Sequence, residues 1–283
     1  MANRRRALTT LATAAAFPLA VRGATLDLRR HRRLGIALGS GGMHGLTHIG
    51  VIRAFQKLGV RPAAIAGCSA GAIAGGLWAA GKRAEEIATL AMDTSWREYD
   101  RLRLPRFGLG DLTRLESLIE KSTNAVRIED LATPFAAVAT DLVSGVARVL
   151  RSGPLARAVA ASASVPIRFE PVTIDGRYLV DGALTAPLPV DAARALGADV
   201  VISVDVAYRP YEDRVTGLAG VAFQMFHIMV NQLIAEQAQR ADHAIRLDVH
   251  ALMKNSDDPR VLIDHGERAV LDQWPALAPL LGT

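Results

Sequence analysis

Apolar residues fall into two alternating patterns along this chain: short unbroken runs of strand length, and longer stretches where they recur every three or four positions. Leu34 to Leu38 is the first run; after a glycine-rich loop, Leu46, Ile49, Val51, Ile52, Phe55 and Leu58 repeat at helical spacing up to Gly59. A second run, Ala63 to Ser69, leads into Ala70–Ala80, apolar and rich in small residues, as suits a buried helix. Helices are predicted over Arg83–Met92, Leu112–Lys121, Pro154–Ala163, Val190–Leu196, Leu218–Arg240 and Ile263–Leu271, with a further turn after Pro275. Strands are predicted over Phe135–Leu142, Val146–Leu150, Phe169–Ile174, Tyr178–Val180 and Ala244–Val249. Val200–Val206 is a continuous β-branched run suited to a central parallel strand covered on both faces. Asp175-Gly176 is a hairpin signal, and the irregular stretch from Trp96 to Asp111, with Pro105, Gly108 and Gly110, predicts a mobile loop near the site entrance.

With 283 residues and 50% hydrophobic composition, the chain can bury one sizeable core, and one domain suffices. The net charge of +5 changes meaning once it is located: the first 24 residues hold Arg4, Arg5, Arg6 and Arg22 and no acid, leaving 33 − 4 = 29 basic against 28 acidic residues. Residues 1–24 read as an export signal, an arginine cluster followed by an uncharged apolar run from Ala7 to Ala20. The paired arginines match a twin-arginine signal in part, a general secretory signal being the alternative, so a periplasmic or extracellular location is expected, and a cytoplasmic one if the signal is not used. Arg29, Arg30, His31, Arg32 and Arg33 form a basic linker over 25–33 that could touch anionic lipid head groups at a membrane surface. No aromatic residues are interleaved with it, so nucleic acid is not an expected partner. The single cysteine, Cys68, excludes an internal disulfide and reads as a small packing residue.

Candidate chemistry centres on Gly67-Cys68-Ser69-Ala70-Gly71. A serine on so tight a strand-to-helix turn needs small neighbours two residues away on each side, and the helix that follows offers its first amides to a developing oxyanion. The glycine loop Gly39-Ser40-Gly41-Gly42-Met43-His44-Gly45 has two readings. As a dinucleotide fingerprint it lacks the acidic residue expected about 20 positions on, although Arg61 would suit a 2′-phosphate. As an oxyanion loop, Gly41 and Gly42 present bare amides beside the serine-bearing strand end.

The serine needs a base. His227, His243, His250 and His265 all follow in the chain, but each lies in a helical or strand-like stretch with no Gly or Pro loop to project it. Asp181, at a strand end and followed by Gly182 and Ala183, has no bulk beside it to keep a serine away, and its carboxylate could take the Oγ proton directly.

Together these blocks resemble the patatin-like phospholipase family, in particular its short bacterial members. The resemblance spans Leu34 to about Asp205 and rests on Gly39–Gly45 with Leu46-Thr47-His48-Ile49-Gly50-Val51, on Gly67–Gly71, on Ala139-Thr140-Asp141-Leu142 with Gly145, on Ala161-Ser162-Ala163-Ser164-Val165-Pro166 and on Asp181-Gly182-Ala183. It implies a three-layer α/β/α domain over 34–283 with a mainly parallel sheet. It also implies a serine lipid acyl hydrolase with Ser69 as nucleophile, Asp181 as its partner, and Gly41, Gly42 and Met43 as oxyanion amides. The substrate expected is a phospholipid or other acyl ester, its acyl chain received by apolar residues of 96–112. No metal or organic cofactor is implied, since no His, Cys or carboxylate cluster has ligand spacing. One departure stands out: His44 occupies a position where the family usually has Arg or Lys. That departure motivates a second reading, a lipid-binding or regulatory protein that keeps the scaffold with little or no hydrolysis.

Overall fold

A computed structural model describes residues 32–93, 108–206, 215–249, 252 and 258–282. The predicted export signal, most of the basic linker, His250 and residues 96–107 of the predicted entrance loop lie outside the described residues.

Strands β1 (Leu34–Leu38), β2 (Ala64–Cys68), β4 (Phe135–Asp141), β9 (Val200–Asp205) and β10 (His243–Arg246) pair in parallel in the order β10-β9-β1-β2-β4. The antiparallel strands β5 (Ala147–Leu150), β7 (Val172–Ile174) and β8 (Arg177–Asp181) complete the sheet around β4. The predicted β-branched run becomes β9, with parallel neighbours on both sides and every residue buried.

Side chains along each central strand alternate between two separate cores. Ile36, Leu38, Ile65, Phe135, Ile202 and Val204 pack on one face with helices α1 (Leu46–Lys57), α2 (Ala70–Ala79), α5 (Leu155–Ser162) and α8 (Arg260–Leu277). Ala37, Ala66, Cys68, Val138 and Val201 pack on the other with α6 (Val190–Ala195) and the C-terminal half of α7 (Gly217–Ala238). Two cores on a period-two sheet make three layers, as expected. Helices α3 (Ala84–Asp93) and α4 (Thr113–Thr123) add Ile87, Leu115 and Ile119 to the first core.

Three expectations need correction. The strand predicted over Phe169–Ile174 is two strands, β6 (Ile167–Phe169) and β7, because Pro171 between them has no N–H for a ladder. The end of the predicted entrance loop is a strand, β3 (Gly108–Gly110), which pairs with β6 in a small parallel sheet of its own. Helix α8 runs on through Pro275 to Leu277 instead of stopping near Leu271. The Asp175-Gly176 turn has the left-handed φ values of 49° and 71° that join β7 to β8 as a tight hairpin.

The pairing around β4 positions the site. Residues 137–140 pair with β5 along one edge, so the other edge carries both remaining partners: Cys68 opposite Val138 and Asp181 opposite Ala139. Strands β2 and β8 therefore meet end to end, and the residue after β2 arrives beside the last residue of β8.

Candidate active site

Ser69 sits where β2 gives way to α2, at φ 54° and ψ −120°, a conformation that costs a non-glycine residue about 1–3 kcal/mol. The turn is so tight that a Cβ on Gly71 would lie 2.1 Å from the Leu38 carbonyl oxygen, and one on Gly67 would lie 2.4 Å from that of Gly71. Both predicted small positions are thus dictated by backbone on backbone contact.

The hydroxyl of Ser69 donates to Asp181 Oδ2 at 2.7 Å, with both residues buried. The other carboxylate oxygen, Oδ1, accepts from the Ala183 N–H at 2.8 Å and from the Cys68 thiol at 3.9 Å. Burial pushes the Asp181 carboxyl up to about 6 from an ordinary 3.8, and these hydrogen bonds only partly offset it. Gly182 has no room for a side chain, since its Cβ would lie 2.1 Å from the Val138 carbonyl oxygen. Burial, with the Asp181 carboxylate beside it, pushes the Cys68 thiol well above its ordinary value, so Cys68 is an inert packing residue and a weak donor.

Several residues that stand in the motif blocks without an assigned role hold this pair. Ser162 Oγ accepts from the Ser69 N–H at 3.0 Å and donates to the Val138 carbonyl at 2.5 Å. The Ser164 carbonyl accepts from the Asp181 N–H at 2.8 Å, and Thr140 Oγ1 donates to the Asp181 carbonyl at 3.0 Å. The available signal was the pair of hydroxyls on Ser162 and Thr140 in otherwise apolar segments, where each must find a partner if buried. Ser164 acts through its backbone carbonyl, and its own hydroxyl donates to the Glu170 carbonyl.

The glycine loop leaves β1 beside the elbow. Its N–H groups at Gly39, Ser40 and His44 donate to the carbonyls of Val204, Pro187 and Gly41 at 3.0, 2.8 and 3.0 Å. Among the described residues, the amides of Gly41, Gly42 and Met43 have no such backbone acceptor. Gly42, at φ 53°, and Met43 line the same cavity as Ser69, whereas Gly41 lies against Val206. Gly45 packs onto Ala70 of the elbow helix, and His44 is buried in the short turn without lining the cavity.

That cavity is almost wholly apolar, with Ile49, Ile73, Leu77, Ile87, Leu115 and Phe169 among its walls. Helices α1 to α4 supply most of the lining, and of the predicted stretch 96–112 only Leu112 is among the described lining residues. None of His227, His243 and His265 lines it. Among the described residues no cluster of His, Cys, Asp or Glu could hold a metal ion, and no helix is long and apolar enough to cross a membrane.

The chain is similar in fold and in sequence to known proteins. VipD from Legionella pneumophila, in its crystal structure, shares the fold with a TM-score of 0.57 at 13% identity, over 87% of this chain and 67% of that one. An uncharacterized NTE family protein of Mycobacterium tuberculosis is 39% identical over 177 residues, 62% of this chain and 49% of the relative. Patatin-like phospholipase domain-containing protein 7 of Rattus norvegicus is 33% identical over 188 residues, 64% of this chain but 14% of the relative. The chain thus spans about half the length of the first of these curated relatives and far less of the second. Residues 36–194, more than half of the 283, match the family model described as Patatin-like phospholipase, and the chain belongs to that family.

Proposed function

We propose that this protein hydrolyses carboxylic ester bonds of lipids, phospholipids among them, through a seryl-acyl intermediate formed on Ser69. The observation that carries the reading is the 2.7 Å hydrogen bond between Ser69 Oγ and Asp181 Oδ2 at the wall of an apolar cavity. Asp181 takes the Oγ proton as Oγ attacks the ester carbonyl, and the negative charge moves to the carbonyl oxygen. The amides of Gly41, Gly42 and Met43 stabilise that oxyanion, a contribution typically worth about 100- to 1,000-fold in rate per donor. The carbonyl re-forms as the bond to the leaving alkoxide breaks, and Asp181 returns its proton to that alkoxide. Water then attacks the acyl-enzyme, giving its proton to Asp181, and the fatty acid leaves as Ser69 recovers its hydrogen. The acyl chain lies in the cavity between α1, α2 and α4.

The experiment is labelling with a fluorophosphonate, followed by hydrolysis of a short-chain nitrophenyl ester. We expect wild type to label on Ser69 and turn over, and Ser69→Ala to do neither while remaining folded. A wild type that resists the label indicates instead an inert lipid-binding scaffold. Labelling that persists in Ser69→Ala removes Ser69 from the mechanism.

A further inference from the structure

We infer that His48 is a positioning residue for the oxyanion loop, a role that rests on the hydrolase reading above and extends it to a side chain outside the cavity. His48 lies on the first turns of α1 and is fully buried. Its Nε2 is 2.8 Å from the Gly39 carbonyl oxygen. A carbonyl can only accept, so Nε2 carries the hydrogen and donates it. Burial holds the ring at about 4 against an ordinary 6.5, so it is neutral at physiological pH and serves as a fixed donor with no charge to add to the loop.

The significance lies in what Gly39 touches. The peptide between Gly39 and Ser40 is held at its carbonyl by His48 and at its N–H by the Pro187 carbonyl, while the N–H before it, of Gly39, is tied to Val204. Beyond it the amides of Gly41, Gly42 and Met43 lack a backbone acceptor among the described residues. The same Gly39 carbonyl oxygen lies 2.6 Å from where a Cβ on Gly71 would stand, so it is wedged between the His48 ring and the first turn of the elbow helix. Rotating that peptide would move the three amides relative to Ser69. His48 thus fixes the distance between the group that attacks and the groups that receive the charge, a placement on which transition-state stabilisation depends steeply.

The test compares His48→Leu, which withdraws the donor, with His48→Gln, whose amide nitrogen can reach the same carbonyl, both in the full chain with a nitrophenyl ester. We expect His48→Leu to lose about 10- to 100-fold in kcat with KM changed less than about threefold, and His48→Gln to recover most of the loss. A role confined to stability would instead lower the melting temperature while leaving kcat per folded molecule intact, and that result overturns the proposal. Should His48→Leu not fold, His48→Asn, whose shorter side chain draws the donor back from Gly39, takes its place against His48→Gln. A wild type without Ser69-dependent turnover overturns the hydrolase reading and this role with it. An active wild type whose donor-less variant keeps its kcat overturns only the role of His48.

Discussion

Helices α2 and α7 look alike in composition and differ in what surrounds them. Neither carries a charged side chain, α2 over its whole length and α7 from Gly217 to Ala235. Yet α2 buries all but Ala70 and Ile73, while α7 leaves Leu218 87% exposed, with Val221, Met225, Ile228 and Met229 exposed along the same side. An apolar helix is normally a covered helix. Here α2 is covered because Gly71, Gly75 and Gly76 let it settle on β1 and β2 and against α5, with the elbow fixing its start. Among the described residues, helix α7 joins the second core from Phe226 onwards, through Val230, Ile234 and Ala238, and Gln237 bonds Leu188 and Thr185. Composition registers that a surface is apolar; it does not register whether the same chain supplies the cover.

The comparison predicts a graded series of effects. The largest belongs to Gly71→Val, whose Cβ would collide with the backbone at Leu38 and Gly39. We expect a loss of about 4 kcal/mol or more in denaturant unfolding, or no soluble folded protein. Next is Leu77→Ala in the buried part of α2, at about 2–5 kcal/mol, against Leu218→Ser on the exposed face of α7, within about 0.5 kcal/mol of wild type. Equal losses from these two would show that α7 is covered after all.

The site at the head of α2 makes a prediction of a different kind. Because Asp181 has its pKa raised to about 6, the folded protein holds that proton more tightly than the unfolded chain does. Its contribution to stability is therefore complete below the ordinary carboxyl value of 3.8 and is lost as pH rises through about 6. Catalysis needs the opposite form, so kcat/KM should rise through about pH 6 to a plateau. Asp181→Asn should abolish turnover yet unfold at a higher denaturant concentration at pH 8, by about 1–3 kcal/mol. A wild-type acid limb centred well away from about pH 6 would assign the titration to another group. A small effect, opposite in sign to that of Gly71→Val, concerns Gly220 of α7, whose Cβ would meet nothing closer than 3.6 Å. Gly220→Ala should raise stability by up to about 1 kcal/mol through helix propensity, measured as a shift in melting temperature. A substitution of the same kind is thus mildly favourable in one apolar helix and ruinous in the other.

Much of the site could be read in one dimension. The elbow glycines, the strand-end aspartate and the loop with its bare amides each follow from a local need: a backbone crossing, a carboxylate with no bulk beside it, a turn free of side chains. What failed to show was of another kind. The entrance-loop end that pairs as β3 with Ile167–Phe169 depends on a neighbour more than fifty residues away, and the strand predicted through Pro171 gave way to a missing N–H that no apolar pattern records. Ser162 and His48 stood in the motif blocks with no role until the structure showed which backbone groups their side chains hold.

The sequence by itself determined most of the strand and helix elements, the tight turn at Ser69 and the kind of chemistry its neighbours permit, because periodicity and steric crowding act between residues close along the chain. Only the tertiary structure decided that Ser69 and Asp181, 112 positions apart, meet at 2.7 Å. That distance comes from register: β4 offers one edge to two strands in succession, and hydrogen bonding along that shared edge sets the two side chains face to face.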